Sequence, residues 1–428
     1  MQDHPVLGQV ALGYSPMIDR QRKVVATRLT VFPQQPDAVP DAAALLRALQ
    51  DVWPAETGDE PLKLTLRPLD PAAVAVSKGA AAAGPAPRGL VSLNLAGEGL
   101  LRAVMAAAPA PQLMIEVPAF MAGDPAHAPL LRELRVAGSV LLIKGRPLAP
   151  LPAEVLGCFS HSIVDVSEER RTGAQSSDHK RSISTVQSGT RTVADVTAAF
   201  ERGAVAVLGW PFDDPLPKSS GRSRIPTDVS TVMELMQGVE REDPVPKLEA
   251  VLKRDPTLAF RLMRYLNSPA FGLSVEINSF SHALMLLGYN RLKRWLAVLL
   301  ATSVKSANAH PLMHAAVRRG LLMEELAKTQ ADPELRGEMF ICGVFSLLDR
   351  LLEQPFAELL GNVPVPERVQ QALRGDGGPF QPFLDLVQAI EQESVFDIRE
   401  CTERLLLGPA EVNRALLAAL QSARQIDG

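Results

Sequence analysis

Cysteine is scarce in this chain: Cys158, Cys342 and Cys401 are the only three among 428 residues, far apart and odd in number. That excludes a disulfide framework and the close cysteine pairs of structural zinc sites, and it points to a reducing compartment. Long apolar runs are missing as well. No stretch reaches the roughly 18 to 20 consecutive apolar residues that a spanning helix needs, and the start MQDHPVLGQV has neither the basic nor the apolar segment of a secretory signal. A cytoplasmic location with no membrane attachment is the expectation. Neither sign of charge is in excess, and a net charge of -4 gives no overall attraction to nucleic acid or anionic lipid. Aromatic residues make up 5% of the chain, too few for an extended base-stacking surface.

What is present suits buried cores. Hydrophobic residues make up 46% of the chain against 21% charged, and 428 residues exceed one ordinary domain, so two domains are expected. Up to about Pro217, short apolar runs alternate with helix-like or Pro/Gly-rich connections: VALGYSPMI, KVVATRLTVF, LKLTLRPL, GLVSLNL, QLMIEV, GSVLLIKG, HSIVDV, SISTVQS and AVAVLGW. That alternation predicts an α/β domain with a mainly parallel sheet. Residues 216–226 have linker composition, and residues 71–89 and 167–193 are small or polar and expected to be poorly ordered.

After the linker the period becomes helical and stays so. Val229, Val232, Met233, Met236 and Val239 share one helix face, and Leu248, Val251 and Leu252 begin another. Asp255-Pro256 is a helix-start pair, Gly288 a helix stop, and NRLKRWLAVLLATSV is apolar enough after Trp295 to be a central buried helix. Residues 227–428 therefore read as all-α.

Within this half, DPTLAFRLMRYLNSPAFG followed by INSFSHALMLLGYNRLKRWL resembles an HDOD domain, a helical relative of the HD phosphohydrolases found in bacterial signalling proteins. Asp255-Pro256, Asn267-Ser268, Phe271-Gly272 and Leu287-Gly288 carry the resemblance, over a core of 225–303. An HD hydrolase needs adjacent His and Asp metal ligands. Ser346 and Leu347 stand where that doublet would fall, and HDOD domains as a family lack it, so the resemblance implies no metal hydrolysis here. His310 and His314 have the i, i+4 spacing of a zinc pair, but Pro311 suggests that a helix starts between them, and surface histidines are the preferred reading. His282, beside an apolar face, reads as structural.

The first half is similar to an EAL domain, the TIM-barrel phosphodiesterase of cyclic-di-GMP, in YSPMIDRQRKVVATRLTVF at its start and AVAVLGWPFDDP at its end. The resemblance implies a barrel over residues 8–215 and two metal ions held by carboxylates and an Asn at strand ends. Carried over by position, the signature Glu falls on Arg28. Asn94 and Glu116 match the family's Asn and third-strand Glu, the paired Asp gives way to the region around Lys144, and Asp165 keeps the Asp of a motif whose Lys is Ile163. The later Glu falls near Val186 or Gln187, and the Gln before the closing Gly is Leu208. The barrel is thus read as degenerate and without catalysis, with no metal or other cofactor. The short interval from Asp165 to ISTV further suggests a shortened or absent outer helix.

With both centres degenerate, the expected function is that of a signalling scaffold whose HDOD helices bind protein partners, Arg291, Lys293 and Arg294 beside Trp295 being candidate contacts, extended by Arg318 and Arg319. Cyclic-di-GMP bound without hydrolysis, with Arg28, Lys144 and Arg146 on its phosphates, is the alternative. A helix-turn-helix around Gly288-Tyr289-Asn290 is disfavoured, because the following helix is too apolar to enter a groove.

Overall fold

The computed structural model describes residues 4–35, 38–53, 90–107, 109–110, 113–147, 149–171, 183–216, 227–252, 254, 280–302, 309–329, 332–361, 363 and 365–427. LKLTLRPL, the 71–89 tract, most of the linker, Asp255-Pro256, Asn267-Ser268 and Phe271-Gly272 lie outside the described residues. The chain divides into two compact units. The first is Met1–Asp214 with Ala389–Arg399 and Gly408–Asn413, and the second is Pro215–Gln388 with Glu400–Leu407 and Arg414–Gly428. Periodicity alone had assigned everything from 227 onward to a single helical domain.

The first unit is a closed eight-stranded barrel in sequential order, β1 (Val10–Asp19), β2 (Val24–Pro33), β3 (Leu90–Leu95), β4 (Leu113–Pro118), β5 (Leu141–Lys144), β6 (Phe159–Asp165), β7 (Ser184–Ser188) and β8 (Ala206–Leu208). β1 runs antiparallel to both of its neighbours, β2 and β8, while β2 through β8 are parallel. The antiparallel start is a hairpin, since only four residues separate β1 from β2; Arg22 takes a φ of 62° there and Asp19 accepts a bond from the Lys23 N–H at 2.9 Å. Parallel pairs need crossovers, and these carry α1 (Ala42–Val52), α2 (Glu98–Ala106), α3 (Ala128–Val136), α4 (Val166–Arg171) and α5 (Val193–Glu201). Thr192 and Asp195 form a reciprocal capping box that starts α5. Between β6 and β7 the described helix is the six-residue α4. The polar stretch expected to be poorly ordered contains β7.

Strand residues alternate faces. One face of the barrel strands contributes Met17, Ala26, Leu90, Met114, Leu142, Ile163, Val186, Ala206 and Leu208 to a single apolar core. Two residues further toward the C-terminal ends of the parallel strands, the same face carries Arg28, Ser92, Glu116, Lys144, Asp165 and Ser188. The interior therefore has an apolar floor and a polar upper layer.

In the second unit, α6 (Thr227–Glu240) and α7 (Val245–Leu252) precede a long helical span, α8 (Phe280–Thr302), broken at Gly288 by a φ of 70° and ψ of 169°. Leu292 and Trp295 to Ala301 are buried, the central helix that the apolar run predicts. Next come α9 (Ala309–Leu326) and α10 (Pro333–Phe345), which cross at glycines: a Cβ on Gly343 would lie 2.5 Å from the Arg319 carbonyl oxygen, and one on Gly320 would lie 2.6 Å from Val344. Helices α11 (Glu367–Arg374), α12 (Gln381–Glu391), α13 (Val395–Arg404) and α14 (Pro409–Asp427) follow.

The chain-end segments join the first unit through polar contacts. Asn413, 2% exposed, donates to the Leu7 and Val10 carbonyls at 2.8 Å each and accepts from the Leu12 N–H at 3.1 Å. Arg399 donates to the carbonyls of Pro33 and Gln34, at the end of β2. Gly13 of β1 leaves room for the turn after α12, because a Cβ there would come within 3.0 Å of the Glu393 Cα.

Candidate functional site

The polar upper layer of the barrel is a network of ion pairs. Arg28, on β2, donates from Nε and Nη2 to the two carboxylate oxygens of Glu116, on β4, at 2.9 and 2.7 Å. The Ser92 hydroxyl donates to the same Glu116 Oε1 at 2.8 Å. The Glu116 side chain is wholly buried and that of Arg28 is 13% exposed, so this is a desolvated, bidentate pair. Arg28 Nη1 reaches Glu393 Oε2 at 3.3 Å, and the Ser15 hydroxyl of β1 donates to Glu393 Oε1 at 2.7 Å. Burial alone would lower the Arg28 pKa, but the charges of Glu116 and Glu393 outweigh it and leave the guanidinium held more firmly protonated than usual.

Beside this pair, Lys144 Nζ donates to Asn94 Oδ1 at 2.6 Å, and Asn94 Nδ2 donates to the Thr30 hydroxyl at 3.0 Å. Burial pulls the Lys144 pKa below its ordinary value, with Glu116 opposing and Arg28 reinforcing that shift. Asp165 turns to its own strand end: its Oδ1 accepts from the Ser167 N–H and hydroxyl at 2.9 and 2.6 Å, and its Oδ2 from the Ser188 hydroxyl at 3.2 Å.

The structure thus brings Arg28, Asn94, Glu116 and Lys144 together and leaves Asp165 in a local turn. Val186 and Leu208 belong to the apolar floor. Gln187 lies on the opposite strand face, donating to the Val164 carbonyl at 2.8 Å and accepting from Arg202. Arg146 is exposed. Sequence reading missed Ser15, Ser92 and Glu393. Ser92 follows from strand alternation once Asn94 is recognised, whereas nothing local marks Glu393, 365 residues from Arg28.

A dinuclear metal site does not fit this donor set. Both oxygens of Glu116 are taken by a fixed cation, and the Asn94 carbonyl oxygen is taken by another. Two divalent ions close together need several anionic ligands aimed at them; here Glu116 and Glu393 are aimed at Arg28, and Asp165 is turned to Ser167 and Ser188.

In the helical unit the candidate cations differ in their surroundings. Lys293 pairs with Glu240 at 2.8 Å, and Arg294 pairs with Glu324 and lies 4.0 Å over the Phe340 ring. Arg291 is exposed. Arg318 and Arg319, expected to extend a cationic face, are each only 5% exposed. Arg319 lies at the glycine crossing of α9 and α10 and donates to the Ser346 hydroxyl at 3.0 Å, and Arg318 donates to the His314 carbonyl of its own helix at 3.3 Å. Leu347 is buried, and Ser346 is spent on Arg319 and the Gly343 carbonyl. His310 is exposed at the start of α9, whereas His314 has its pKa driven well down by burial, with Arg318 adding to the effect. Of His282 the backbone alone is described.

An eight-stranded barrel with a polar mouth, followed by a helical unit, defines the class: a TIM-type α/β barrel joined to an all-α domain. Residues 225–353 match the HDOD domain family, and the chain carries an HDOD domain there. The barrel, with its first strand reversed, is the part of the chain whose sequence resembles EAL domains. YuxH, an uncharacterized protein of Bacillus subtilis (strain 168), is 30% identical over 200 residues, 46% of this chain and 48% of that one. The cyclic di-GMP phosphodiesterase CdgJ of Vibrio cholerae serotype O1 is 26% identical over 181 residues, 42% of each chain. These matches thus span less than half the length of both curated relatives. Among solved structures, the PaMucR phosphodiesterase in its c-di-GMP complex is similar with a TM-score of 0.32 and 15% identity, covering 49% of this chain and 92% of that one. The FimX EAL domain from Pseudomonas aeruginosa bound to c-di-GMP gives 0.29 and 10%, covering 48% and 90%. Among the described residues, no helix is long and apolar enough to cross a membrane.

Proposed function

We propose that this chain is a non-catalytic signalling regulator, in which the HDOD domain engages protein partners and the EAL-like barrel serves as a binding or supporting module. The observation that carries this reading is the bidentate grip of Arg28 on Glu116. A carboxylate bonded through both oxygens to a buried guanidinium has its charge already met by a fixed cation, and releasing it would strand two opposite charges in a desolvated interior. The pairing of Lys144 with Asn94 supports the same reading at the neighbouring position.

Hydrolysis of cyclic-di-GMP by the full chain, with magnesium and with manganese, is the test. The expected result is no linear product above the level without protein. Turnover that Glu116→Ala abolishes would overturn the reading.

A second reading is favoured by one specific observation, the presence of two cations, Arg28 and Lys144, in the upper layer of the barrel. Cyclic-di-GMP would then be bound through its phosphates without being cleaved. The protein partner is expected at the HDOD domain, where Arg291 is the exposed member of its basic cluster.

A further inference from the structure

Glu393 occupies a backbone position that favours glycine, as Glu242 and Glu353 also do. Helix α12 ends in a Schellman turn, with Ser394 N–H bonded to the Ala389 carbonyl and Glu393 N–H to the Ile390 carbonyl, and Glu393 takes the left-handed conformation at φ 54°. Glycine is the usual residue at that place, and a side chain there carries a backbone cost. The carboxylate it carries reaches into the barrel, to Arg28 and Ser15, and its side chain is only 16% exposed. On the facing strand, Gly13 supplies the space for this turn, although its own backbone requires no glycine. Two departures from ordinary residue choice therefore converge on one contact.

The bonds to Arg28 say what Glu393 does there. The carboxylates bonded to Arg28 are Glu116 and Glu393, while Asp165, on the same face, is turned to Ser167 and Ser188. Glu116 is buried beneath Arg28 and bonded through both oxygens, so it cannot also serve Arg28 Nη1. Lys144 is bonded to a neutral amide. With Glu393 withdrawn, Arg28 Nη1 loses the carboxylate oxygen bonded to it, and an anionic oxygen of a phosphodiester group has the charge and hydrogen-bonding capacity to take that place.

We propose that Glu393 is an internal occupant of an anion site formed by Arg28 and Lys144, and that a phosphodiester ligand binds by displacing it, so that the segment Ala389–Arg399 responds to ligand. This rests on the reading that the barrel binds cyclic-di-GMP without cleaving it. The site is then gated by the chain's own C-terminal segment.

The test is calorimetric titration of the full chain with cyclic-di-GMP, comparing the wild type with Glu393→Gln. Glu393→Gln should bind at least about tenfold more tightly, and adding Lys144→Gln should remove the gain. Ser15→Ala, which loosens the carboxylate without changing charge, should tighten binding by a smaller factor and covers the case in which Glu393→Gln folds poorly. In the wild type, saturating cyclic-di-GMP should raise hydrogen exchange in 389–399. Equal affinity for wild type and Glu393→Gln would overturn the gating and leave the binding reading standing. Absence of binding by both folded proteins would overturn the two together.

Discussion

The guanidinium of Arg28 and the carboxylate of Glu116 face each other through two bonds of 2.9 and 2.7 Å, in the interior of a barrel where the resemblance to EAL domains implies a metal ion. The arginine comes from β2 and the glutamate from β4, and Ser92 on the intervening β3 bonds the same carboxylate. At residue 28, where that resemblance implies an anion, a cation stands and forms an internal ion pair.

The first prediction concerns the strength of that pair. Arg28→Ala leaves Glu116 buried and uncompensated, and a loss of about 3 to 5 kcal/mol in barrel stability is expected. Replacing both residues by apolar ones, Arg28→Met with Glu116→Leu, should cost less than Arg28→Ala alone. Denaturant unfolding of the two variants against the wild type measures this.

A second prediction separates two glycines on one helix. Gly343→Ala drives a methyl group against the backbone of α9, and a loss of about 1 to 3 kcal/mol is expected from overpacking. Gly337→Ala, on the same helix with nothing within 4 Å of the added carbon, should stabilise by about 0.4 to 1 kcal/mol. Thermal unfolding of the two variants should shift in opposite directions.

The third prediction tests the place of the chain end. Asn413→Ala removes one partner from each of three buried backbone groups, the Leu7 and Val10 carbonyls and the Leu12 N–H, of which the Val10 carbonyl keeps Gln34. A loss of about 1 to 3 kcal/mol is expected. Hydrogen exchange should rise at residues 7–12, in the first strand region, as well as at 408–413.

The fourth prediction concerns pH. Burial lowers the His161 pKa, and burial with the Arg318 charge lowers that of His314 further. The unfolded chain then binds protons that the folded chain refuses, so stability is full above the ordinary histidine value of 6.5 and falls as pH drops through it toward the lowered values. Melting temperatures at pH 7.5 and 5.5 should differ in that direction, and His314→Gln should reduce the difference.

Much of this arrangement was legible before any coordinates. The strand runs from VALGYSPMI to AVAVLGW point to a mainly parallel α/β sheet because parallel strands buried on both faces read as continuous apolar segments, the closed barrel is what the resemblance to EAL domains implies, and the burial of Trp295 to Ala301 follows from an apolar run in a helical setting. Arg28 stood out as a cation where a ligand carboxylate was expected. What stayed hidden depends on distance and crowding. Nothing near Glu393 marks it as a partner of Arg28, and the reversed direction of β1 is fixed by a short turn at Asp19 to Lys23 that its composition does not announce. Arg318 and Arg319 look like surface cations in sequence, yet both are buried, Arg319 at the close approach that Gly320 and Gly343 permit.

The central claim is that fixed side-chain cations have taken the place of metal ions in the barrel, and manganese binding to the full chain tests it most directly. Electron paramagnetic resonance titration should show no tightly bound manganese whose signal depends on Glu116. A saturable manganese site in the wild type that disappears in Glu116→Ala would contradict the account.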